Sequence, residues 1–552
     1  MAFISKSSFF DFDFSNTFLA FSLWAFHFWF LLNLFENVRF FSHLSDFERE
    51  MTYRTEMGFY FSFYKTLVSM PFSEGFIHLL KDNTTEFGNT INALHRFNLY
   101  PEVILSFLFS SFRQLSDYFE WQNIVCWRVN RGGGMPPVES CEGLGNYHYF
   151  YIYGAFFVAS SVLFSLFIGG YSLSQSYFGA ILASFAFMFN HGEATRAQWT
   201  PPLRETFGYP IFLFQTILTG YIIKKGNFNI IFGFLHIFLT VAFCCFWQLS
   251  QFIIGIQLGT LLLLFSFELI SFKLMFSLWK LFLISYCLTI ALLFEDDNNV
   301  FDLLKAKLFP NFANFHTLLY TCAPEFDFLQ FDTIFKLIST WLLPLNCLII
   351  LFLIYLFYQF ELSNKKWLWR SEINKLNNER RFYSEIAYHF TQLCLFLIMS
   401  LLFMQYNNPE QERLFLWINQ STFKDSVFAG TMALMANLKL STLRPIVNHP
   451  HYENEEIRKR TLRVYSIYSR KSVKEVYFDL KSMGIQFYVF QPQQCLQEHP
   501  KKECSYLAMW DLQDPKNKNN SSLCHNLWNG IINSNQSLLG LFLPVYITET
   551  YV

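Results

Sequence analysis

Charge is what this sequence has least of. Only 15% of its 552 residues are Asp, Glu, Lys or Arg, and 41 basic against 42 acidic side chains leave a net charge of −1. A balance so near neutral provides no electrostatic footprint for nucleic acid. Several chemical signatures are missing as well. There is no G-x-x-x-x-G-K-[ST] loop for nucleotide phosphate, no G-x-S-x-G elbow and no H-E-x-x-H helix. No repeat of solenoid length is present, which excludes a repeat array. Inside the long apolar stretches ionisable residues are nearly absent. Glu268 and Lys280 are the clear exceptions, read as a mutual or snorkelling pair. A transporter would keep its charged site near the midplane.

What is there is apolar. Hydrophobic residues make up 53% of the chain, phenylalanine alone contributes 72, and the mean hydropathy is +0.24. Stretches approaching the ~20 apolar residues of a helical span recur along the chain, so the expected class is an α-helical polytopic membrane protein. Nine spans are expected, at about 17–36, 149–170, 172–190, 207–223, 229–248, 252–272, 274–294, 337–359 and 385–405. The first reads as a retained span that doubles as the targeting signal, being long for a signal peptide. Lys224, Lys225, Lys273 and the basic run at 364–381 fall on one side, which is therefore cytoplasmic. The other face receives the loop 37–148, the stretch 190–205, the segment 295–336 and everything after 406. The expected domains are 1–405 in the membrane and 406–552 outside it.

That outer face reads as the lumen of the endoplasmic reticulum. Cys126, Cys141, Cys322, Cys495, Cys504 and Cys524 lie there, with Cys126–Cys141 and Cys495–Cys504 as plausible disulfides and free thiols as the alternative. Sequons at Asn83, Asn419, Asn519, Asn520 and Asn535 share that side. The first outer loop carries helical patterns suited to the interface. Beyond 406, short strands at Ser426–Gly430, Arg444–His449 and Ile485–Phe490 alternate with helices, suggesting a small α/β domain.

Four polar clusters collect at the outer ends of spans. In "EREMTYRTE", Glu50 and Arg54 are four apart, an i,i+4 pair on a solvated face in the plainer reading; Glu48, Glu50 or Glu56 could instead serve as a general base beside the bilayer. In "NHGEATRAQWTPPLRE", His191, Arg196 and Arg204 could bind phosphate, with Glu193 or Glu205 orienting the arginines. A flanking anchor of mixed charges is the alternative. Glu325 and Asp327 in "YTCAPEFDF" could ligate a metal, but with no histidine beside them loop polarity is the plainer reading. Arg444, His449 and His451 in "LRPIVNHPHYE" could face an anion; two histidines alone do not make a zinc site.

Together these strings, with "RFNLYPEV", "ESCEGLG" and "YSIYSRK", resemble the dumpy-type protein tryptophan C-mannosyltransferases, from about residue 36 to 515. The resemblance implies a GT-C fold with about nine transmembrane helices, interfacial helices in the first lumenal loop and a lumenal C-terminal domain. It implies transfer of mannose from dolichyl phosphate mannose to C2 of a tryptophan indole in W-x-x-W segments of secretory polypeptides, with inversion. Carried onto this chain, Glu50 is the first choice of base and Glu48 the second. His191, Glu193, Arg196, Arg204, Arg444, His449 and His451 bind donor phosphate or sugar, and Arg54, Glu56, Glu325 and Asp327 support them. No metal or cofactor is expected beyond the lipid-linked donor. Ala194 stands where many relatives carry Cys, and the chain is shorter than familiar members, around 295 and 406. The rival readings are a non-catalytic membrane scaffold of the same family and a multi-span lipid or solute transporter.

Overall fold

The computed structural model describes residues 14–131, 136–225, 230–266, 270–292, 314–321, 409–452, 454–496, 504–548 and 550–552. Residues 1–317 and 404–552 form one compact unit. The expected spans at 337–359 and 385–405, and Glu268, Glu325 and Asp327, lie outside the described residues.

Among the described residues seven long apolar helices form the bundle: Phe14–Arg39, Tyr147–Ser174, Tyr177–Phe189, Arg204–Lys225, Ile230–Phe246, Ser250–Ser266 and Phe272–Leu292. Four contain stretches long and apolar enough to cross a membrane: Thr17–Arg39, Tyr147–Ser174, Arg204–Lys225 and Phe272–Ile290. The other three hold 13, 17 and 17 residues. At ~1.5 Å per residue the shortest rises only ~20 Å against ~30 Å of hydrocarbon. The break between the second and third helices is set by Gln175, whose left-handed backbone ends the preceding helix and leaves two residues for the turn.

The ends of these helices sort by side. Arg39 donates to the Trp199 carbonyl at 2.8 Å. Asn98 reaches the carbonyls of Cys244 and Cys245 at 3.2 and 3.1 Å, and Gln248 touches His451. So the loop 40–146, the stretch 190–204, the turn after Phe246 and the C-terminal segment share one end of the bundle. Lys224 bonds the Ser172 carbonyl at the other end, as the basic-residue rule requires.

Between the spans a polar network ties helices together where apolar side chains give little selectivity over lipid. His236 Nε2 lies 3.1 Å from Gln215 Nε2 and 3.0 Å from Thr219 Oγ1, and Gln257 Nε2 donates to Gln215 Oε1 at 2.8 Å.

The outer loop is built from short capped helices. Ser45 and Glu48 form a reciprocal capping box for Asp46–Thr52, and Pro101 sits in the first turn of Tyr100–Tyr118. That last helix is two-faced: Glu102, Leu105 and Phe109 are buried, while Ile104, Phe107, Leu108 and Leu115 are exposed. A hairpin, Val125–Val129 with Val138–Glu142, sets Cys126 opposite Cys141, and the two form a disulfide. Cys495, however, bonds Cys524 and not Cys504. Sequence proximity favoured the shorter loop; the fold brings the start of helix Leu523–Ile532 to Cys495 instead.

The C-terminal segment is more helical than its sequence suggests. Its sheet is two three-residue parallel strands, Phe428–Gly430 and Phe487–Val489, and the expected strand at 444–449 contributes a single bridge, Phe428 to Ile446. The expected helices are present as Glu455–Val464 and Val473–Ser482. The segment is anchored by Met432–Thr442, which crosses the loop helix Glu56–Ser69. Gly58 makes that crossing close: a Cβ there would meet the Tyr53 carbonyl at 2.7 Å and Asn437 Oδ1 at 3.0 Å.

Gly58→Ala is therefore expected to cost about 1–3 kcal/mol of stability by overpacking, read as a lower unfolding temperature in detergent. Gly220→Ala, where nothing lies within 4 Å of the new atom, serves as the control and leaves it unchanged.

Candidate functional site

The three glutamates of "EREMTYRTE" occupy two helices and three different environments. Thr55 separates the helices with φ +52° and ψ −125°, an arrangement unfavourable for a β-branched residue. It starts the second helix at Glu56. On the first helix, Glu48 is fully used: Oε2 accepts from the Ser45 amide and hydroxyl at 2.8 and 2.9 Å, and Oε1 from Arg131 at 2.9 Å. Arg131 also bonds Glu412 at 3.1 Å, so Glu48 holds the C-terminal segment to the loop. Glu50 is buried, 2.6 Å from Lys65 Nζ, and accepts from the Tyr147 hydroxyl at 3.1 Å. It pairs with Lys65 rather than Arg54. Burial pushes its carboxyl up, and Lys65 and Tyr147 offset only part of this.

Glu56 differs. Its side chain is reached by solvent and has no hydrogen-bond or ion-pair partner among the described residues. It lies within electrostatic reach of Glu205, Arg196 and Arg204. Desolvation there, together with the like charge of Glu205, pushes its carboxyl up to about 7, against the pull of Arg196 and Arg204.

The stretch 190–205 brings opposite charges near Glu56. Arg196 is exposed and contacts Glu205 at 2.6 Å, the orienting role expected for that glutamate. Arg39 and Arg54 lie near enough to feel each other's charge. Arg204 is buried and already engaged. Its terminal nitrogens fork onto both oxygens of Glu102 at 2.8 Å, one also reaches the Asn98 carbonyl at 3.1 Å, and the guanidinium lies 3.8 Å from the Tyr60 ring centre. Tyr151 donates to the same carboxylate at 2.9 Å. The expectation of an Arg204 open to phosphate is corrected: Glu102 occupies the fork. The side chain of Glu193 lies outside the described residues.

His191 is buried against His27, Nε2 to Nε2 at 3.1 Å, while His27 Nδ1 faces the Ser160 carbonyl at 3.2 Å. A carbonyl accepts, so His27 carries its proton on Nδ1 and offers a lone pair at Nε2. His191 must then donate from Nε2. Burial lowers His191 to about 4, so it is a neutral ring and brings no positive charge to a phosphate.

The remaining expected residues come from the C-terminal segment. His449 is stacked on Phe59 at 4.7 Å and meets Glu86 at 3.2 Å; burial holds it neutral, with Glu86 pulling the other way. His451 packs on Phe97 at 4.7 Å and close enough to Arg204 to feel its charge; burial keeps it neutral too. His451 therefore joins the Arg204 side of the site as a neutral ring, while His449 faces Glu86. Arg444 does not join it. Its guanidinium donates to the carbonyls of Thr442 and Thr422 at 2.9 and 3.0 Å, closing helix ends inside the C-terminal segment.

Sequence reasoning missed Glu102, Lys65, Tyr147 and His27. Glu102 stood in the quoted "RFNLYPEV", where a glutamate just after a first-turn proline reads as a helix-dipole partner. Nothing in spacing links it to Arg204 a hundred residues on. For metal chemistry, one group of donors among the described residues is close enough, Cys126, Glu139 and Cys141, and its thiols are joined as a disulfide.

Glu102→Gln leaves Arg204 buried without its counter-charge, so a loss of about 3–5 kcal/mol is expected, read by thermal unfolding. The paired replacement Glu102→Leu with Arg204→Met should recover most of that. If the stable double variant keeps its rate, Arg204 acts only on the fold.

The family model described as Dpy19, Q-cell neuroblast polarisation, matches residues 21–296, 292–406 and 403–552. The chain is 41% identical to C-mannosyltransferase dpy-19 of Caenorhabditis briggsae, across 94% of this chain and 91% of that one. It is 39% identical to C-mannosyltransferase dpy-19 of Caenorhabditis elegans, across 93% and 91%. It is 32% identical to protein C-mannosyl-transferase DPY19L1 of Homo sapiens, across 90% of each. With coverage and identity of this order, the chain belongs to the Dpy19 family and is an enzyme of the protein C-mannosyltransferase class.

Proposed function

We propose that the enzyme moves mannose from dolichyl phosphate mannose to C2 of a tryptophan indole in W-x-x-W segments, with inversion, at the lumenal face of the endoplasmic reticulum membrane. In this reading the apolar helices are seven of nine spans, and the segment 406–552 is lumenal. The observation that carries the reading is Glu56: an exposed carboxylate with no hydrogen-bond or ion-pair partner among the described residues, within electrostatic reach of Arg196 and of the Arg204–Glu102 pair.

The chemistry needs such a group. As the bond from mannose C1 to the phosphate oxygen breaks, its electron pair leaves with the dolichyl phosphate and an oxocarbenium-like sugar forms. Indole C2 attacks from the opposite side, forming the carbon–carbon bond. The cationic ring then gives its C2 proton to a carboxylate. Glu48 and Glu50 are tied to Arg131 and to Lys65, so the base is Glu56. A carboxyl titrating near 7 is matched to proton transfer at physiological pH. Arg196, which is exposed, is the cation for the departing phosphate; removing such a donor typically costs about 10²–10³ in rate. His191, His449 and His451, as neutral rings, suit sugar hydroxyls better than phosphate.

The test is direct: membranes carrying the enzyme, dolichyl phosphate mannose and a W-x-x-W peptide, with hexose mapped to tryptophan by fragmentation. Glu56→Gln should lower the rate by about 10²–10⁴ while donor binding persists. Full rate in Glu56→Gln, with loss in a stable Glu50→Gln, would return the role to Glu50.

The pH profile has a definite sign. The base works ionised and its carboxyl sits near 7, so the rate should rise through neutrality and fall on acidification. Arg196→Ala removes a stabilising cation and should move that limb to higher pH. Glu205→Gln removes a repelling charge and should move it lower.

A further inference from the structure

The five sequons are left unused by the transfer reaction, and the fold treats them differently. The acceptor of N-glycosylation is the amide nitrogen of asparagine, and the hydroxyl two residues on must be able to face that amide. The folded protein must also leave room for a bulky, solvated glycan.

Four sites fit poorly. At Asn83 the hydroxyl of Thr85 is buried, turned to Asp82 and bonded by Lys439 at 2.6 Å. Asn419 lies in the helix Pro409–Ser421 and directs its amide nitrogen at the Ser441 carbonyl, 3.4 Å away. Asn520 commits its nitrogen to Asn517 Oδ1 at 2.9 Å, and its Ser522 is buried. Asn519 is exposed, but the Ser521 hydroxyl accepts from Asn526 at 2.9 Å.

Asn535 is arranged the other way. Its Oδ1 accepts from the Ser537 amide at 3.1 Å and from the Ser537 hydroxyl at 2.6 Å. That leaves Nδ2 without a bond among the described residues, in a run 532–537 that is exposed throughout. The same Oδ1 caps the short helix Gln536–Leu539. A sugar on Nδ2 would leave that acceptor in place, so modification and the native turn are compatible.

We propose that Asn535 is an N-glycosylation site of this enzyme. The proposal rests on the lumenal placement of the C-terminal segment. The co-reactant is a lipid-pyrophosphate-linked oligosaccharide, delivered by the compartment's own oligosaccharyltransferase. The bond from sugar C1 to the pyrophosphate oxygen breaks with its electron pair leaving on the lipid pyrophosphate, a bond from C1 to Nδ2 forms, and one amide proton is released.

The full chain, expressed in microsomes with a C-terminal tag, is treated with peptide N-glycosidase and its mobility followed. A one-glycan step is expected in the unaltered chain and in Asn519→Gln, and its loss in Asn535→Gln and Ser537→Ala. Gln536→Pro keeps both reacting side chains but blocks the sequon, and proline is tolerated at a first helical position, so it should also lose the step. A step that survives Asn535→Gln overturns the assignment. An unmodified chain whose tag resists protease in sealed microsomes overturns it as well while the lumenal placement stands. An unmodified chain whose tag is digested from outside overturns both.

Discussion

Arg204 carries its charge where almost no water reaches it, and it can do so only because Glu102 meets both ends of its guanidinium. Moving either ion alone out of water would cost several kcal/mol. Their fork, the Tyr151 hydroxyl and the Tyr60 ring together replace the lost hydration. Each partner sits at the start of a helix, one in the apolar bundle and one in the outer loop. The pair therefore fixes the loop helix Tyr100–Tyr118 to the helix Arg204–Lys225 at a defined depth. Asn98, just ahead of that loop helix, adds bonds to Cys244 and Cys245 at the end of a third helix.

The same economy explains why so much charge gathers beside an apolar bundle. Most of it is spent on assembly: Glu48 with Arg131, Glu50 with Lys65, Glu86 with Arg96, and Lys439 against Asp82. The first and last of these pairs join segments distant in the chain, and the other two close the outer loop on itself; an unpartnered buried ion would be costly. What distinguishes Glu56 is the absence of such a partner among the described residues. Desolvation and the like charge of Glu205 hold its carboxyl above the ordinary range, against the pull of Arg196 and Arg204, and groups held so collect where proton transfer is needed. The histidines follow the opposite course: buried against aromatic rings, they stay neutral and act through shape and single hydrogen bonds.

Hydropathy and basic-residue placement determined by themselves that the chain is a helical membrane protein, roughly where seven of its apolar helices run, and which ends face together. These properties follow from local composition, since a run of apolar residues must leave water wherever the rest of the chain goes. The length and spelling of "NHGEATRAQWTPPLRETFGYP" and its companions were also enough for the family. Sequence likewise brought the polar clusters forward, because ionisable residues beside spans are rare enough to stand out.

Only the tertiary structure decided what each charge does. Glu50, Glu48 and Glu56 are indistinguishable by type and spacing. Their surroundings diverge because Lys65 reaches Glu50 from the next helix and Arg131 reaches Glu48 from the hairpin, and the Thr55 backbone turns the third away from the first two. The fork of Arg204 was filled by a residue a hundred positions earlier, Cys495 found Cys524 across a fold rather than Cys504 nearby, and Arg444 closed helix ends inside its own segment. Pairing energies depend on distance and desolvation in three dimensions, and neither quantity is written in the order of the residues.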